Sequence, residues 1–546
     1  MARGSVARVI VIGVIIAVGC GGEPIPPAPL PPLPPPAPAD TERFADSARC
    51  GQCHTAGDGD QLRDGAGRDV SPVALWRTSM MALAARDPMY LAVVSDELAD
   101  AADPAAVGAL CTRCHAPAGS EERTAAGGRL GLDDITAGTD PAAVLARDGV
   151  TCSLCHQIGA AGLGGERSFT GGFAVGYDRQ MLGPHAQPLV TPMQMFVRYT
   201  PTYGAHVGDS ALCGTCHTVI VARPGGGEVV EQATYLEWRS SDHATGAAVV
   251  TCAGCHLPTR DVDGATISAR IARFPDTLRA RAPVGRHLLL GGNSFMLGLL
   301  ADAPDWLGAG LTGEELTAAA ARTDAFLATA AAVTVVDARR AGDELVVEVA
   351  VENRTGHKLP TGYPSRRAWL HVRVSAALGP VFESGATDAG GRLVDASGQP
   401  IDGPGRHPHR TEITRGDQVQ VYEAMLVDDA GRPTHRALAA ADIGKDNRLL
   451  PTGWHPSPAD ARRVASVGVA ADPDFVGGGD RVRYRITGAP TGPLTVEVEL
   501  LYAATSPDHV ATVGAIATPA GARFASLTAG RPVPPVRLAA ATATVP

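Results

Sequence analysis

Residues 151–159 read TCSLCHQIG, with two residues between Cys152 and Cys155 and His156 directly after the second cysteine. This C-x-x-C-H pattern occurs five times and takes up ten of the 11 cysteines in a chain of 546 residues. The motif cysteines are Cys50, Cys53, Cys111, Cys114, Cys152, Cys155, Cys213, Cys216, Cys252 and Cys255, and the motif histidines are His54, His115, His156, His217 and His256. A chain that concentrates its cysteines in this way uses them for one repeated task.

Four interpretations of the repeated motif compete. Zinc sites do not require a histidine after every second cysteine, and disulfides require no histidine at all. A thioredoxin-like redox motif would occur once, within a βαβ unit. In c-type haem attachment, both thiols bond to the haem and the adjacent histidine becomes an axial ligand of the iron. Since the histidine is present in all five copies, the sequence predicts five covalently attached haems c.

The N-terminus has the pattern of an export signal. Arg3 and Arg8 precede an apolar run over 9–18, which is too short to span a bilayer as a helix. The run ends in AVGC at Ala17–Cys20, which resembles a bacterial lipoprotein cleavage site. We therefore predict a signal peptide over 1–20 and lipid attachment at Cys20; an ordinary secretory signal with an incidental cysteine is the alternative. Export agrees with covalent haem attachment, which takes place outside the cytoplasm.

The rest of the chain divides by composition into three segments. Residues 21–40 are proline-rich and predict a semi-rigid polyproline II linker. Residues 41–331 contain all five motifs and predict a domain of loops and short helices around the haems. Residues 332–546 contain no cysteine and alternate apolar and polar residues in short runs, which predicts a β-sandwich. The predicted fold class is a multidomain α+β protein, helical first and all-β afterwards.

Two local patterns refine this division. The residues TGEE at Thr312–Glu315 form a capping box and predict a helix that extends to about Ala331. LWRTSMMALAAR predicts a helix from Leu75 to Arg86, ended by Asp87-Pro88.

The supply of histidines limits how the haems are ligated. After the five motif histidines, only His185, His206, His243 and His287 remain before residue 330. Five haems cannot all find a second histidine there, so one must take a methionine, use a C-terminal histidine or stay open. We predict His185, His206 and His287 as axial ligands. For His243, ligation and a solvated loop position are both open.

His357 extends the search into the C-terminal segment. It lies between Gly356 and Pro360, where a rigid loop histidine suits a ligand supplied across an interface; a hydrogen-bonded loop histidine is the alternative. Arg366 and Arg367 follow, and arginine forks suit haem propionates.

Three further predictions concern ligands and partners. Met80 and Met81 are the methionine candidates for iron, although core methionines are commoner. Asp472, Asp474 and Asp480 surround a glycine turn, which is more typical of turn chemistry than of calcium binding, and calcium stays open. The net charge of −10, with no basic stripe, gives no reason to expect nucleic-acid binding.

Several longer stretches resemble one family. They are EQATYLEWRSS before TCAGCHLP, GRHLLLGGN, NRTGHKLPTGYPSRRAWL, VQVYEAML and KDNRLLPTGW. With the five motifs, they resemble exported bacterial multihaem c-type cytochromes with a C-terminal β domain, a group related to the tetrahaem carriers of hydroxylamine oxidation. The resemblance implies haems with two histidine ligands, electron transfer, and ligating roles for His287 and His357. The chain has CHLP where CHMP is common, so no methionine role arises there.

The sequence therefore predicts a lipid-anchored penta-haem electron-transfer protein. Gly21 and Gly22 carry no acidic inner-membrane retention signal, so we expect an outer-membrane lipoprotein that faces the periplasm or the cell surface. The expected partners are other cytochromes or an extracellular electron acceptor, the membrane through the lipid, and no nucleic acid. An oxidoreductase acting on nitrite, hydroxylamine or a similar molecule at one five-coordinate haem is the alternative, and no catalytic residue is assigned. An adhesive lipoprotein that binds a partner through its β domain is a third possibility.

Overall fold

The computed structural model describes Met1 and residues 27–223, 226–403 and 407–546. The predicted signal peptide and the predicted lipidation site Cys20 lie outside these residues, apart from Met1. Within the described part of the chain, no helix combines the length and the apolar character needed to cross a bilayer.

Short helices dominate the region before residue 331. They are α1 Ser47–His54, α2 Pro72–Trp76, α3 Pro88–Ala99, α4 Pro104–His115, α5 Pro117–Ala125, α6 Leu132–Ala137, α7 Pro141–Arg147, α8 Cys152–Cys155, α9 Val190–Val197, α10 Ser210–Gly214, α11 Thr234–Arg239, α12 Asp242–Thr245, α13 Cys252–His256, α14 Ser294–Ala301, α15 Pro304–Leu307 and α16 Gly313–Leu327. Two 3₁₀ helices cover Glu166–Ser168 and Ala205–Gly208. The C-terminal part adds α17 Pro507–Gly514 and α18 Pro519–Thr528.

Strands dominate the region after residue 331. Four short strands precede it, namely β1 Gln180–Gly183, β2 Thr200–Tyr203, β3 Val219–Ala222 and β4 Glu228–Gln232. The others are β5 Ala331–Ala341, β6 Glu344–Asn353, β7 Arg367–Ala376, β8 Gly379–Ser384, β9 Glu412–Ile413, β10 Val421–Val427, β11 Asp442–Asp446, β12 Gly479–Thr487, β13 Leu494–Ala503 and β14 Val536–Val545.

The C-terminal strands form two sheets. The larger has the order β11-β10-β7-β13-β14, with β8 also paired to β7, and the smaller has the order β5-β6-β12-β9. Strands β7 and β13 pair antiparallel along their whole length, from Leu494 opposite Ala376 to Ala503 opposite Arg367. Strands β5 and β6 form the predicted hairpin around the Gly-Asp turn.

The two sheets share one hydrophobic core. Alternate residues of each strand point inward, as the two-residue period of a half-buried strand requires. The smaller sheet contributes Leu345, Val347, Val349, Val351, Val482, Tyr484 and Ile486, and the larger contributes Leu370, Val372, Val374, Val496, Val498 and Leu500. This arrangement agrees with the predicted α+β class, while the predicted domain boundaries stay a prediction.

The predicted helix over 75–86 is wrong. Only Pro72–Trp76 is helical, and residues 77–86 form turns. The Asp87 carboxylate accepts a hydrogen bond from the Met89 amide and Pro88 occupies the first helical position, so this pair begins α3. Aspartate as N-cap followed by proline is a favoured helix start. By contrast, the capping box of Thr312 and Glu315 at the start of α16 is confirmed.

The described part of the proline-rich segment is packed against the protein. Leu33 is 3% exposed, and its amide donates to the Trp306 carbonyl at 2.9 Å. The Leu30 amide donates to the Pro519 carbonyl at 3.0 Å. Polyproline II has three residues per turn, so Leu30 and Leu33 share one face, which is apolar. The described part of the predicted linker therefore contacts the rest of the protein through Leu30 and Leu33.

The two halves of the chain are joined by a second apolar cluster. Helices α17 and α18, which the sequence did not predict, pack against α3. Phe524 of α18 lies in one cluster with Leu91 of α3, Trp306 of α15 and Leu316 of α16. The C-terminal segment is therefore not purely β, and its helices help to hold the motif-bearing half.

Candidate haem centres

Four motifs lie on short helices that end at their histidine or one residue before it, while α10 ends at Gly214, within the fourth motif. Helices α1, α4, α8, α10 and α13 carry the five motifs in chain order. The Asp46 carboxylate caps α1, the Asp103 carboxylate caps α4, and the Thr251 hydroxyl caps α13. All ten motif cysteines are free thiols; Cys255 is exposed and the others are half-buried. The helices therefore present paired thiols from defined starting points.

Four motif histidines are oriented by the main chain. Each ring places Nδ1 against a backbone carbonyl, so Nδ1–H is the donor and Nε2 keeps its lone pair. The pairs are His54 with Ile271 at 2.8 Å, His115 with Ala84 at 3.1 Å, His156 with Leu182 at 2.6 Å and His256 with Leu290 at 2.6 Å. For His217, the described residues provide no such bond.

Burial keeps these histidines neutral. It lowers the pKa of His54, His156 and His256. Burial lowers the pKa of His115 to about 4. Burial, followed by the charges of His256 and Arg366, lowers the pKa of His217 to about 4. A neutral imidazole with a free Nε2 is the form that binds a metal, so the donor set fits a haem iron.

His287 lies opposite a motif histidine. The rings of His156 and His287 are 6.3 Å apart, centroid to centroid, with an angle of 29° between their planes. A metal–imidazole bond of about 2.0 Å on each side, plus the distance from each nitrogen to its ring centre, gives a similar separation. His287 Nδ1 donates to the Gly285 carbonyl at 3.1 Å, which leaves Nε2 free. This geometry suits two axial ligands of one iron.

His357 is the candidate supplied by the C-terminal half. It follows β6, and its Nδ1 donates to the Lys358 carbonyl at 2.8 Å, so Nε2 is free. Burial lowers its pKa to about 4. The charge of His357 contributes to the lowered pKa of His217. The charge of His256 contributes in turn to the lowered pKa of His357. His357 therefore lies among the histidines of the fourth and fifth motifs.

The other predicted ligands differ in how they are held. His206 uses Nε2 to donate to the Ile158 carbonyl at 2.8 Å, so Nδ1 is its free nitrogen. His185 is half-buried in a loop whose Ala186 carbonyl accepts from Arg281 at 3.1 Å. His243 packs its ring on Gly356, and its buried Nδ1 has no partner among the described residues. Iron ligation by these three stays a prediction.

Among the methionine and arginine candidates, Met80 and Arg367 are engaged in other contacts, whereas Arg366 lies near the motifs. Met80 packs against the apolar cluster of Leu83 and Leu91, as a core methionine does. Arg367 is buried in an ion pair with Asp402 at 2.5 Å, so it is not available for a propionate. One guanidinium N–H of Arg366 donates a hydrogen bond to the Thr361 carbonyl at 2.7 Å. Its charge lowers the pKa of His217, which places it beside the motifs.

The five motifs are neighbours in an order that differs from the chain order. The first motif lies next to the third, the third next to the fourth, and the fourth next to both the second and the fifth. In four pairs one thiol contributes to the raised pKa of the other, namely Cys50 and Cys152, Cys216 and Cys155, Cys216 and Cys114, and Cys252 and Cys213. The Cys252 amide also donates to the Ser210 hydroxyl of α10 at 3.0 Å. The fourth motif is therefore the centre of the set.

Two polar residues near the second motif, Tyr90 and Glu231, were not predicted from the sequence. The Tyr90 ring stacks on His115 with 3.9 Å between ring centroids, and its buried hydroxyl has no hydrogen-bond partner in the described part of the chain. Burial, followed by the charges of Glu231 and Glu97, raises the pKa of the Cys111 thiol to about 12. Among the described residues, the Glu231 carboxylate makes no hydrogen bond or ion pair, and burial raises its pKa to about 7.

The predicted calcium alternative involves His409 as well as two of the three aspartates. Ligand atoms of His409, Asp472 and Asp480 lie within 4.8 Å of one another, while Asp474 is outside this group. Gln420 and Asn447 both donate amide hydrogens to His409 Nδ1, at 2.8 and 3.1 Å. His409 Nε2 must then carry the proton it donates to Asp472 at 2.8 Å. The group is a satisfied hydrogen-bond network, which does not suit a metal.

The comparisons with known proteins support the fold. No protein-family model matches the chain. No curated protein matches its sequence. Its structure is similar to the crystal structure of a penta-haem cytochrome c552 from Thermochromatium tepidum, with a TM-score of 0.52 and 16% sequence identity. The similarity covers 92% of this chain and 99% of that chain. The two proteins therefore have a similar fold along almost their whole length.

Proposed function

We propose that this chain is a penta-haem c-type cytochrome that transfers electrons. The observation that carries the proposal is the arrangement at the motifs. Five pairs of free thiols each precede a histidine, and four of these histidines are fixed by main-chain carbonyls with Nε2 free. The fold shared with a protein described as a penta-haem cytochrome supports the same function.

The chain's own residues would bind and orient the cofactors. The motif thiols would hold the haems covalently, and the motif histidines would provide one axial ligand for each iron. His287, His357, His206 and His185 are the proposed second ligands, and Arg366 is the candidate partner of a propionate. When bound, haem iron supplies one-electron redox chemistry with a potential set by its ligands and its surroundings. The neighbouring motifs support transfer within the protein, with the fourth motif at the branch point.

The proposed location follows from the N-terminal sequence. Lipid attachment at Cys20, which becomes the first residue after residues 1–19 are removed, would tether the protein to the outer membrane, facing the periplasm or the surface. The proposed partners are other cytochromes or an extracellular electron acceptor. Substitution of Cys20 by serine should release the protein from the membrane fraction with its haem spectrum unchanged. Retention of the variant in that fraction would contradict the lipid anchor.

Electron paramagnetic resonance of the oxidised protein tests the carrier function. The proposal predicts low-spin ferric signals from haems with two strong axial ligands. It also predicts full reduction and reoxidation without turnover of nitrite or hydroxylamine. Absence of low-spin haem in the purified protein would contradict the proposal.

A second candidate function is an oxidoreductase acting on nitrite, hydroxylamine or a similar small molecule. Glu231 favours it, because its carboxyl group, which has no hydrogen-bond or ion-pair partner among the residues that the structure describes, acts on the pKa of Cys111 and Cys114 and could donate a proton to a bound substrate. A high-spin haem together with nitrite or hydroxylamine turnover that Glu231→Gln abolishes would support this function. A fully low-spin protein without turnover would exclude it.

A further inference from the structure

A buried group of four charged residues joins the two halves of the chain beside His357. We call residues before 331 the motif-bearing half and residues from 331 onward the β half. Glu237 lies on α11 in the motif-bearing half, and Lys358, Asp446 and Arg448 belong to the β half. Their side chains are between 0% and 11% exposed. Lys358 Nζ lies 2.7 Å from the Asp446 carboxylate, and Arg448 lies 2.8 Å from Glu237 and 2.7 Å from Asp446. Two positive and two negative charges balance within this cluster, which we call the ionic clamp.

The Glu237 carboxylate holds the segment that follows His357. Glu237 Oε2 accepts from the Lys358 amide at 3.2 Å and from the Thr361 hydroxyl at 2.5 Å. The Thr234 and Thr361 hydroxyls, 2.9 Å apart, add a second bond across the same interface. One carboxylate thus fixes both ends of residues 358–361, and the amide that it binds belongs to the residue next to His357.

The rest of the His357 loop is held mainly from within its own half, although the Ser241 hydroxyl of the motif-bearing half donates to the Gly356 carbonyl at 3.0 Å. The Asn353 amide donates to the His357 carbonyl at 2.8 Å and to the Leu449 carbonyl at 3.0 Å. The Thr355 hydroxyl also donates to the His357 carbonyl at 2.8 Å. These bonds set the conformation of the loop but not its place relative to the motifs. Glu237 and Ser241 supply that constraint because they stand on the other half, and Glu237 binds the residue that directly follows His357.

Helix α11 is itself attached to a motif histidine. The Tyr235 amide donates to the His217 carbonyl at 3.1 Å, two residues before Glu237. A short and continuous path therefore connects His217, through Tyr235 and Glu237, to the Lys358 amide and His357. Movement of α11 relative to the β half would change the distance between the two histidines.

We propose that Glu237 is a positioning residue, which through the ionic clamp holds His357 where it can ligate a haem iron of the fourth or fifth motif. This inference rests on the proposed haem-binding function. A buried ion pair adds little net stability compared with an apolar contact, but it penalises any misplaced arrangement that leaves a charge unpaired. The ionic clamp therefore selects one docking position for the β half.

The chain contains a matched control on the same helix. Arg239 of α11 pairs with Asp460 of the β half at 2.6 Å, and Asp460 is 1% exposed. This ion pair crosses the same interface, with Asp460 buried and Arg239 26% exposed. Among the described residues, neither side chain forms a hydrogen bond or ion pair with the loop of His357. Loss of either pair should loosen the interface, whereas only loss of Glu237 should release His357.

The test uses the purified holoprotein and its electron paramagnetic resonance spectrum. Glu237→Ala should convert one of the five haems from low spin to high spin, and added imidazole should restore low spin. His357→Ala should give the same change, and the double variant should add nothing to it. Glu237→Gln, which keeps an oxygen acceptor toward Lys358 and Thr361, should retain most of the low-spin signal. Asp460→Ala should lower the melting temperature with the spin state unchanged.

Three results would overturn the positioning role. They are a fully low-spin Glu237→Ala protein, a spin change in Asp460→Ala equal to that in Glu237→Ala, or a His357→Ala protein without a spin change. Each leaves the proposed function intact as long as the parent protein contains low-spin haem. A parent protein without haem would instead contradict the proposed function itself. If Glu237→Ala does not fold, Glu237→Asp, which shortens the reach of the carboxylate, replaces it with the same expected change.

Discussion

The β half and the motif-bearing half obtain their cores in different ways. In the β half, two sheets bury a continuous set of valine, leucine and tyrosine side chains. Around the first and third motifs, the corresponding cluster is small, with Phe44, Leu145, Leu154, Ile158 and Phe173 as its large members. The larger apolar cluster of this half, with Leu91, Trp306 and Leu316, lies elsewhere. The β half therefore has a continuous apolar core, whereas α1 and α8 have little apolar packing of their own.

The largest expected effect comes from preventing covalent haem attachment. In a host that lacks this maturation, the motif helices α1 and α8 should lose their protection against hydrogen exchange, because the apolar cluster around them is small. Strands β6, β7, β12 and β13 should stay protected, since their core needs no cofactor. Exchange measured by mass spectrometry on the protein with and without haem checks this. Equal protection of the motif helices in both forms would contradict the comparison.

A large effect confined to the β half is expected from Leu370→Ala. Leu370 is 0% exposed in the shared core, so the cavity should lower the free energy of unfolding by about 2–5 kcal/mol. The haem absorption spectrum should stay unchanged under native conditions. Denaturant unfolding followed by circular dichroism measures this. Leu378→Ala is the matched control: this side chain is fully exposed, and its loss should change stability by less than about 0.5 kcal/mol.

A single-haem effect is expected from His287→Ala. The ring centroids of His287 and His156 are 6.3 Å apart, so loss of the His287 imidazole should leave one iron with a single histidine. One of five haems should become high spin, and imidazole should restore the low-spin signal. His371→Ala is the control, since His371 pairs with Glu383 and Glu499 on the sheet. An unchanged spectrum of the His287 variant would refute its ligand role.

The smallest effect concerns Asp480 and depends on pH. Burial raises the pKa of Asp480 to about 7 in the folded protein, against about 4 when unfolded. Ionisation of this carboxyl in the folded state is therefore costly, and stability falls as pH rises from about 4 through about 7. Asp480→Asn should raise the melting temperature at pH 8 and leave it unchanged at pH 4. An equal effect at both pH values would contradict the assignment of the shift to burial.

A chelator distinguishes a metal-free hydrogen-bond network at His409, Asp472 and Asp480 from a calcium site. Since His409 donates a proton to Asp472, we expect no metal there, and a chelator should leave the melting temperature unchanged. A chelator-dependent fall that calcium reverses, and that Asp480→Asn removes, would establish a calcium site.

Much of the fold could be predicted because its signals are local. The alternation in β5, β6, β12 and β13 and the capping box of α16 are short-range patterns that tertiary contacts left unchanged. The Asp87-Pro88 pair was misinterpreted, because the same two residues can end one helix or begin the next. The packed proline segment was missed, since its apolar face depends on Trp306, which lies far away in sequence.

Only the site residues that belong to a local sequence pattern could be predicted. The motif residues follow from C-x-x-C-H alone, and His287 was predicted from its context. Glu231 could not be found, because it lies on a short alternating strand and its relation to Cys111 is tertiary. The ionic clamp was hidden for the same reason, since Glu237 and Asp446 are more than 200 residues apart. Groups that act through long-range contacts leave no pattern along the chain.

The central claim is that all five thiol pairs carry haem, and counting haem per chain tests it most directly. The intact mass of the protein purified from a host that attaches haem covalently, combined with a pyridine haemochrome assay, gives this number. We expect five haems per chain, retained after denaturation because they are covalently bound. A colourless protein, or a mass that corresponds to the polypeptide alone, would contradict it.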